Sequence, residues 1–296
     1  MTPRNIIYSL RQNVNQVGLK DSPFNTVIVC FLLPQDDGTV TPSYELQQFL
    51  SHPGLVEMIK DSGKRQMLVS LGGANVPAGG WKALAANVQD AAKTIWAFVQ
   101  QNGFDGVDFD YEDTAAFESP STAGYDPVEF LASISTALKQ AAGAAGCLIS
   151  HAPQPPYLYP DWYGAPYVSI ANKAGDAIDW LNIQYYNNDW YVGDTVAEQT
   201  DKVAGLSSGT VFPSSIVGLS SQIDMSKLVL GRLTSQTNGG SGFLDAQDTA
   251  NDLLKPLVDK FGDKFGGVMG WEFSISTSGS ENADIWGRAI NAALKI

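Results

Sequence analysis

The sequence predicts an α/β fold, a single (β/α)8 TIM barrel with no inserted α+β domain. Three observations carry this. Eight short apolar runs recur along the 296 residues, with helical patterns between them, and the runs are nearly continuous, as strands covered on both faces require. No GxGxxG or phosphate loop opens a helical segment, which argues against an open nucleotide-binding sheet. No Pro/Gly/Ser linker divides the chain, so residues 1–296 read as one domain.

Runs 5–10 and 27–33 are the first two strands. A helix is expected over 54–61 and a third strand over 66–71. Over 84–101, Val88, Ala91, Ala92, Ile95, Phe98 and Val99 share one face at the helical period, which predicts a long amphipathic helix. The fourth strand, 106–111, is followed by a helix over 127–142, then by strands over 147–151 and 180–186. A helix over 196–206 leads to the seventh strand, 227–233. Asp245 is placed to cap a helix over 246–261. The last strand is 267–273 and the last helix 281–294. Gly239-Gly-Ser-Gly242 reads as a mobile loop. Cys30 and Cys147 lie in strands nearly across the barrel, too far apart for a disulfide, and are expected as small buried hydrophobes.

Composition excludes several functions. With 18 Lys and Arg against 31 Asp and Glu, the net charge is −13 and the pI about 4.4. Such a chain, with no basic run, repels phosphate backbones and anionic lipid, so neither nucleic acid nor a membrane is an expected partner. Apolar residues make up 44% and charged residues 17%, which excludes a disordered or coiled-coil chain. His52 and His151 stand far apart and there is no paired-cysteine motif, so neither a metal nor a cofactor is expected. His151 is expected as a satisfied barrel residue. Nothing calls for a second copy, and a monomer is expected. There is no signal peptide of the usual form; an intracellular protein and a mature form with a new starting Met both fit.

The fourth run, Phe104-Asp-Gly-Val-Asp-Phe-Asp-Tyr-Glu112, carries the chemistry. Alternate side chains share a face, so Asp108, Asp110 and Glu112 point one way and Val107, Phe109 and Tyr111 the other. The apolar set suits the helix layer. The acids then enter the lumen towards its C-terminal mouth, where barrel active sites form. Stacked carboxylates raise at least one pKa, and Glu112, outermost, is placed to act as a general acid. A solvated acidic strand end and a divalent-cation site are the competing readings, but a solvated end would not alternate so strictly with large apolar residues, and three carboxylates on one strand encircle an ion poorly.

The segment Asp105-Gly-Val-Asp-Phe-Asp-Tyr-Glu112 resembles the DGxDxDxE signature of family 18 glycoside hydrolases, the chitinase family. Ser70-Leu-Gly-Gly73 is similar to the family's SxGG motif. Ala152-Pro-Gln154 and Gln184-Tyr-Tyr-Asn-Asn188 resemble the plant-type, hevamine-like branch. Gly266-Gly-Val-Met-Gly-Trp271 stands where the family places a tryptophan, and Tyr8 and Phe31 fit on the first two strands.

The resemblance implies an endo-acting chitinase that hydrolyses β-1,4-N-acetylglucosamine links with retention, the substrate's acetamido group serving as nucleophile. Glu112 would be acid and base. Asp110 would orient the acetamide and offset positive charge, with Asp108 sharing a proton or hydrogen bond with it. Tyr186 would donate to the acetamido carbonyl. Trp271 would floor the sugar, while Gln184, Asn187, Gln154, Tyr8 and Phe31 are substrate-binding candidates. The expected partner is chitin or its oligosaccharides. Gly72 and Gly73 are expected to admit close backbone packing. Tyr157, Tyr159, Trp162, Trp190 and Tyr191 are candidates to line a cleft; Trp96 and Trp286 are expected in the core. Plant relatives are secreted with three disulfides, and this chain has two cysteines, which favours a bacterial or fungal relative. The substrate class favours secretion. Glu281 and the short C-terminus leave no room for a chitin-binding module, which suggests an open cleft and endo action. An endo-β-N-acetylglucosaminidase acting on N-glycans uses the same acids, some hevamine-like enzymes attack peptidoglycan, and a lectin or an inhibitor on the same scaffold usually lacks the acid.

Overall fold

Burial on both faces turns each apolar run into a strand. The computed structural model describes residues 2–10, 17–77, 79–193, 195–206, 211–273 and 282–296. Its strands are β1 (Arg4–Ser9), β2 (Thr26–Pro34), β3 (Val40–Pro42), β4 (Gln66–Gly72), β5 (Gly106–Asp110), β6 (Leu148–His151), β7 (Trp180–Gln184), β8 (Leu228–Leu233) and β9 (Gly267–Trp271). Eight of them run parallel in the order β1-β9-β8-β7-β6-β5-β4-β2, and β1 pairs back onto β2 to close the barrel. The ninth, β3, was not expected: it pairs antiparallel with the end of β2 and stands outside the barrel.

Alternation along the strands builds two cores. Ile6, Ile28, Leu68, Val229 and Met269 fill the lumen. Ile7, Val27, Val69, Val107 and Ile149 point outward into the layer shared with the helices. Phe109 and Tyr111 belong to that outer layer, as their parity with Val107 requires.

The helices follow the expected order with local departures. The stretch expected as one helix over 84–101 is two, Gly80–Ala86 and Val88–Gln101. Asn87 between them leaves the helical conformation (φ −146°, ψ 77°), and its side chain accepts from the Asp90 N–H, so it caps the second helix. The helix Pro127–Ala142 has the expected bounds. The segment 246–261 is helical throughout, with Asp245 as its N-cap, but widens to a π turn over Thr249–Leu254. Pro256 follows directly; it lacks an N–H and crowds the carbonyl four residues back, which a wider turn relieves. The last helix is Ala283–Leu294; Glu281 lies outside the described residues. Short helices over Tyr44–Leu50 and Pro166–Ala174 were not expected, although Ser43 caps the first and Pro166 opens the second. Cys30 and Cys147 are buried and free. No helix among the described residues is long and apolar enough to cross a membrane.

Candidate active site

Register sets the deepest layer of the site. Ser70 on β4 and Ser150 on β6 are the partners of Asp108 on β5. Asp108 is fully buried and accepts four hydrogen bonds. Tyr8 Oη and Ser70 Oγ donate to Oδ2, each at 2.8 Å; Ser150 Oγ (2.6 Å) and Asn182 Nδ2 (3.2 Å) donate to Oδ1. Trp180 Nε1 donates to Asn182 Oδ1 at 3.0 Å, which turns the amide NH2 of Asn182 towards the carboxylate. Burial nevertheless outweighs these donors and lifts the Asp108 carboxyl from 3.8 to about 6.

That shift has a stability consequence. The folded state holds a proton on Asp108 that the unfolded chain releases, so the contribution is complete below about pH 4 and is lost as pH rises through about 6. The change amounts to about 3 kcal/mol at most. Asp108→Asn is expected to flatten stability against pH over this window, also because Asp110 loses a neighbouring charge. Urea unfolding at a series of pH values checks this; parallel curves for the two proteins would show that Asp108 does not titrate there.

Asp110, next on the same face, is 4% exposed. Gln184 Nε2 donates to its Oδ1 (2.8 Å) and to the Ala152 carbonyl (2.9 Å), so both N–H groups of the amide are engaged. Burial, then the charges of Glu112 and Asp108, push the Asp110 carboxyl well up. Glu112 is raised by burial, and hydrogen bonds with Asp110 and Gln184 pull it partly back. The resemblance has Asp108 share a proton or hydrogen bond with Asp110. Here all four bonds to Asp108 come from neutral donors, and Asp110 meets Glu112. One proton held between Asp110 and Glu112 avoids two adjacent buried anions.

Above this pair opens a cavity of about 250 Å³. Trp271, half-buried, forms one wall, stacked on Phe31 (centroids 6.2 Å apart, 29°) and tilted against Tyr8 (5.7 Å, 56°). Tyr186 and Asn187 form another wall. The Tyr186 side chain is 6% exposed, and its hydroxyl has no hydrogen-bond partner among the described residues. Burial and the charges of Asp110 and Glu112 push its pKa well up, so it stays a neutral donor facing the cavity. Asn187 is exposed at the rim and accepts from the Gly240 N–H through Oδ1 (2.7 Å). Gln154 is half-buried just after β6 and does not line the cavity.

Several expectations about aromatic residues are corrected. Tyr157 and Tyr191 are 1% exposed and belong to the outer core, with hydroxyls bonded to Thr114 and Ser214. Trp162 packs on Tyr157 (4.9 Å). Trp190, 50% exposed, and Tyr159 form an edge-on pair 5.8 Å apart on the loops that follow β7 and β6. Trp286 is buried as expected and Trp96 packs half-buried against the core. His151 is buried, bonded to Ser135 Oγ (2.9 Å) and stacked on Phe109, and burial lowers its pKa to about 3. It faces away from the cavity.

Sequence reasoning missed Ser150 and Asn182, whose signal was a polar residue at a lumen position of an apolar strand. It also missed Leu10, Ala74 and Asn75, loop residues that line the cavity and carry no periodic pattern. Among the described residues, no group of three or more His, Cys, Asp or Glu could hold a metal ion. A larger groove, about 750 Å³, lies near Thr2, Pro3 and Leu294 and shares no lining residue with this cavity.

The sequence model of the family described as glycosyl hydrolases family 18 matches residues 4–239. Endochitinase 37 of Trichoderma harzianum is 29% identical over 232 residues, covering 73% of this chain and 64% of that protein. Endochitinase 33 of the same fungus is 31% identical over 166 residues, covering 50% of this chain and 45% of that protein. The chain thus spans less than two thirds of the length of either relative. The crystal structure of a family 18 chitinase from Pseudoalteromonas aurantia superposes with a TM-score of 0.80 at 28% identity, covering 97% of this chain and 99% of that one.

Proposed function

The chain belongs to family 18 of the glycosyl hydrolases, and from that premise we propose that it is an endo-acting chitinase, cleaving β-1,4 links between N-acetylglucosamine residues with retention. The observation that carries this reading is the Asp110–Glu112 carboxyl pair at the floor of the cavity, both members raised and in hydrogen-bonding contact.

Glu112 keeps a proton to higher pH than an ordinary carboxyl and reaches the cavity, so it protonates the leaving glycosidic oxygen. As that bond breaks, the substrate's acetamido oxygen attacks the anomeric carbon and an oxazolinium ion forms. Loss of the shared proton leaves Asp110 and Glu112 both negative. That arrangement is costly in the free site. It is offset in the transition state by the cation developing above it, so the stabilisation is selective for the transition state. Gln184 holds Asp110 in place, and the free Tyr186 hydroxyl donates to the acetamido oxygen. Glu112 then takes a proton from water, which opens the intermediate.

The cavity is smaller than the roughly 300–1,000 Å³ of sites that enclose a whole small ligand. One ring of a polymer enters, and the rest lies across the rim. Among the described residues no α+β insertion walls off this face, which supports internal cleavage. Incubation with chitohexaose followed by mass spectrometry tests the reading. Short acetylated oligomers, with mid-chain products early in the time course, are expected. Absence of cleavage, with release of glycan from an N-glycoprotein, would replace chitin as the substrate.

A further inference from the structure

Arg232 on β8 is 0% exposed, in the layer between barrel and helices. No carboxylate pairs with it among the described residues. Its Nη1 donates to the Tyr185 carbonyl (2.7 Å) and its Nη2 to the Gly242 carbonyl, while Nε has no partner. Burial pushes its pKa down to about 9. A buried guanidinium without a counter-charge is costly, and an apolar side chain of similar volume would pack more favourably. What an apolar side chain cannot supply is two fixed donors on one rigid plane.

Those donors go where strand pairing ends. The β7–β8 ladder stops at Gln184 with Gly231. The Tyr185 carbonyl lies just beyond it and takes its donor from Arg232. The Gly242 carbonyl also accepts from Gln199 Nε2 (2.8 Å). Between these two points the chain segments are laced together. The Asn187 N–H donates to the Ser241 carbonyl (3.1 Å), and the Gly240 N–H donates to Asn187 Oδ1 (2.7 Å). The glycine-rich loop expected to be mobile is therefore bonded, at three successive residues, into a clasp with 185–187. Tyr186 sits in the middle of that clasp.

We propose that Arg232 is a positioning residue: by holding the Tyr185 and Gly242 carbonyls it fixes the clasp that aims the Tyr186 hydroxyl into the cavity. The inference rests on the role given to Tyr186 above. The effect falls on kcat rather than KM, because the clasp orients a donor needed as the acetamido oxygen attacks.

Steady-state kinetics on chitohexaose with Arg232→Met, Arg232→Lys, Tyr186→Phe and the Arg232→Met/Tyr186→Phe double variant test this. Arg232→Met is expected to lower kcat roughly tenfold to a hundredfold with KM within about twofold. Arg232→Lys, which keeps the charge and donors but loses the rigid planar fork, falls between. The double variant should be no slower than Tyr186→Phe within about twofold, since both changes remove one function. Multiplied losses, or parental kcat in Arg232→Met, would overturn the inference. Parental kcat in Tyr186→Phe would overturn the role of Tyr186 and this inference with it. Should Arg232→Met fail to fold, Gln199→Leu removes the other donor to Gly242 and is expected to lower kcat about fivefold at unchanged KM; parental kcat there would also overturn the proposal.

Discussion

Glu112→Gln is expected to lower kcat on chitohexaose by about three orders of magnitude, while the affinity for the oligosaccharide stays within about threefold. The amide keeps the size and planarity of the carboxyl, so the cavity walls formed by Trp271, Tyr186 and Asn187 stay in place. It cannot give up a proton to a leaving oxygen, and it cannot take one from water. The change also leaves Asp110 without a partner to share its proton, and removes the neighbouring charge that helps raise it. In the parent, burial raises the Glu112 carboxyl, so activity should fall as pH rises through its pKa. In the variant this alkaline limb should vanish from the residual rate. Calorimetric titration alongside product analysis separates binding from turnover. A parental rate in Glu112→Gln would remove this residue as the acid.

Gly72→Ala is expected to be the most damaging small substitution near the site, costing more than about 4 kcal/mol and yielding little soluble protein. A Cβ at Gly72 would stand 2.1 Å from the Asp110 carbonyl oxygen and 2.9 Å from the Trp81 ring, and the backbone there has φ +122°. Neither neighbour can retreat. Gly72 is the register partner of Asp110, and the Gly73 N–H donates to the same carbonyl at 2.8 Å. Parting β4 from β5 would break that bond and disturb Asp110 at the cavity floor. Gly54→Ala is the control: its backbone is left-handed (φ 76°, ψ 3°), but nothing lies within 4 Å, so its cost is confined to about 1–2 kcal/mol of left-handed backbone strain. Urea denaturation of the two variants checks the contrast. A Gly72→Ala protein within about 1 kcal/mol of the parent would show that β4 and β5 can part there.

Most of the barrel was legible because a strand buried on both faces has to be apolar without interruption, and eight such runs stand in line. The helix expected over 84–101 shows the limit of that signal. Periodicity saw the apolar face of Val88–Gln101, but not that Asn87 would leave the helix to cap its next turn. The glycine-rich loop over 239–242 shows another limit. Its composition reads as freedom, yet its carbonyls and N–H groups are taken up by Arg232, Gln199 and Asn187. Tyr157 and Tyr191 follow the same lesson in reverse: they lie on loops, but their rings are buried in the outer core.

The order of strands and helices, the face on which Asp108, Asp110 and Glu112 lie, and the helix-facing burial of Val107, Phe109 and Tyr111 were determined by the sequence alone, because side-chain parity and continuous hydrophobicity are local properties of the chain. Which carboxyl is surrounded by four donors, which two stand against one another, that Gln184 braces an acid, and that a buried arginine bonds both the Tyr185 and the Gly242 carbonyls were decided only by the tertiary structure. Those contacts join residues up to 100 positions apart, as between Tyr8 and Asp108. Barrel closure and strand register place them against one another, and no local pattern in the sequence encodes distances across the lumen.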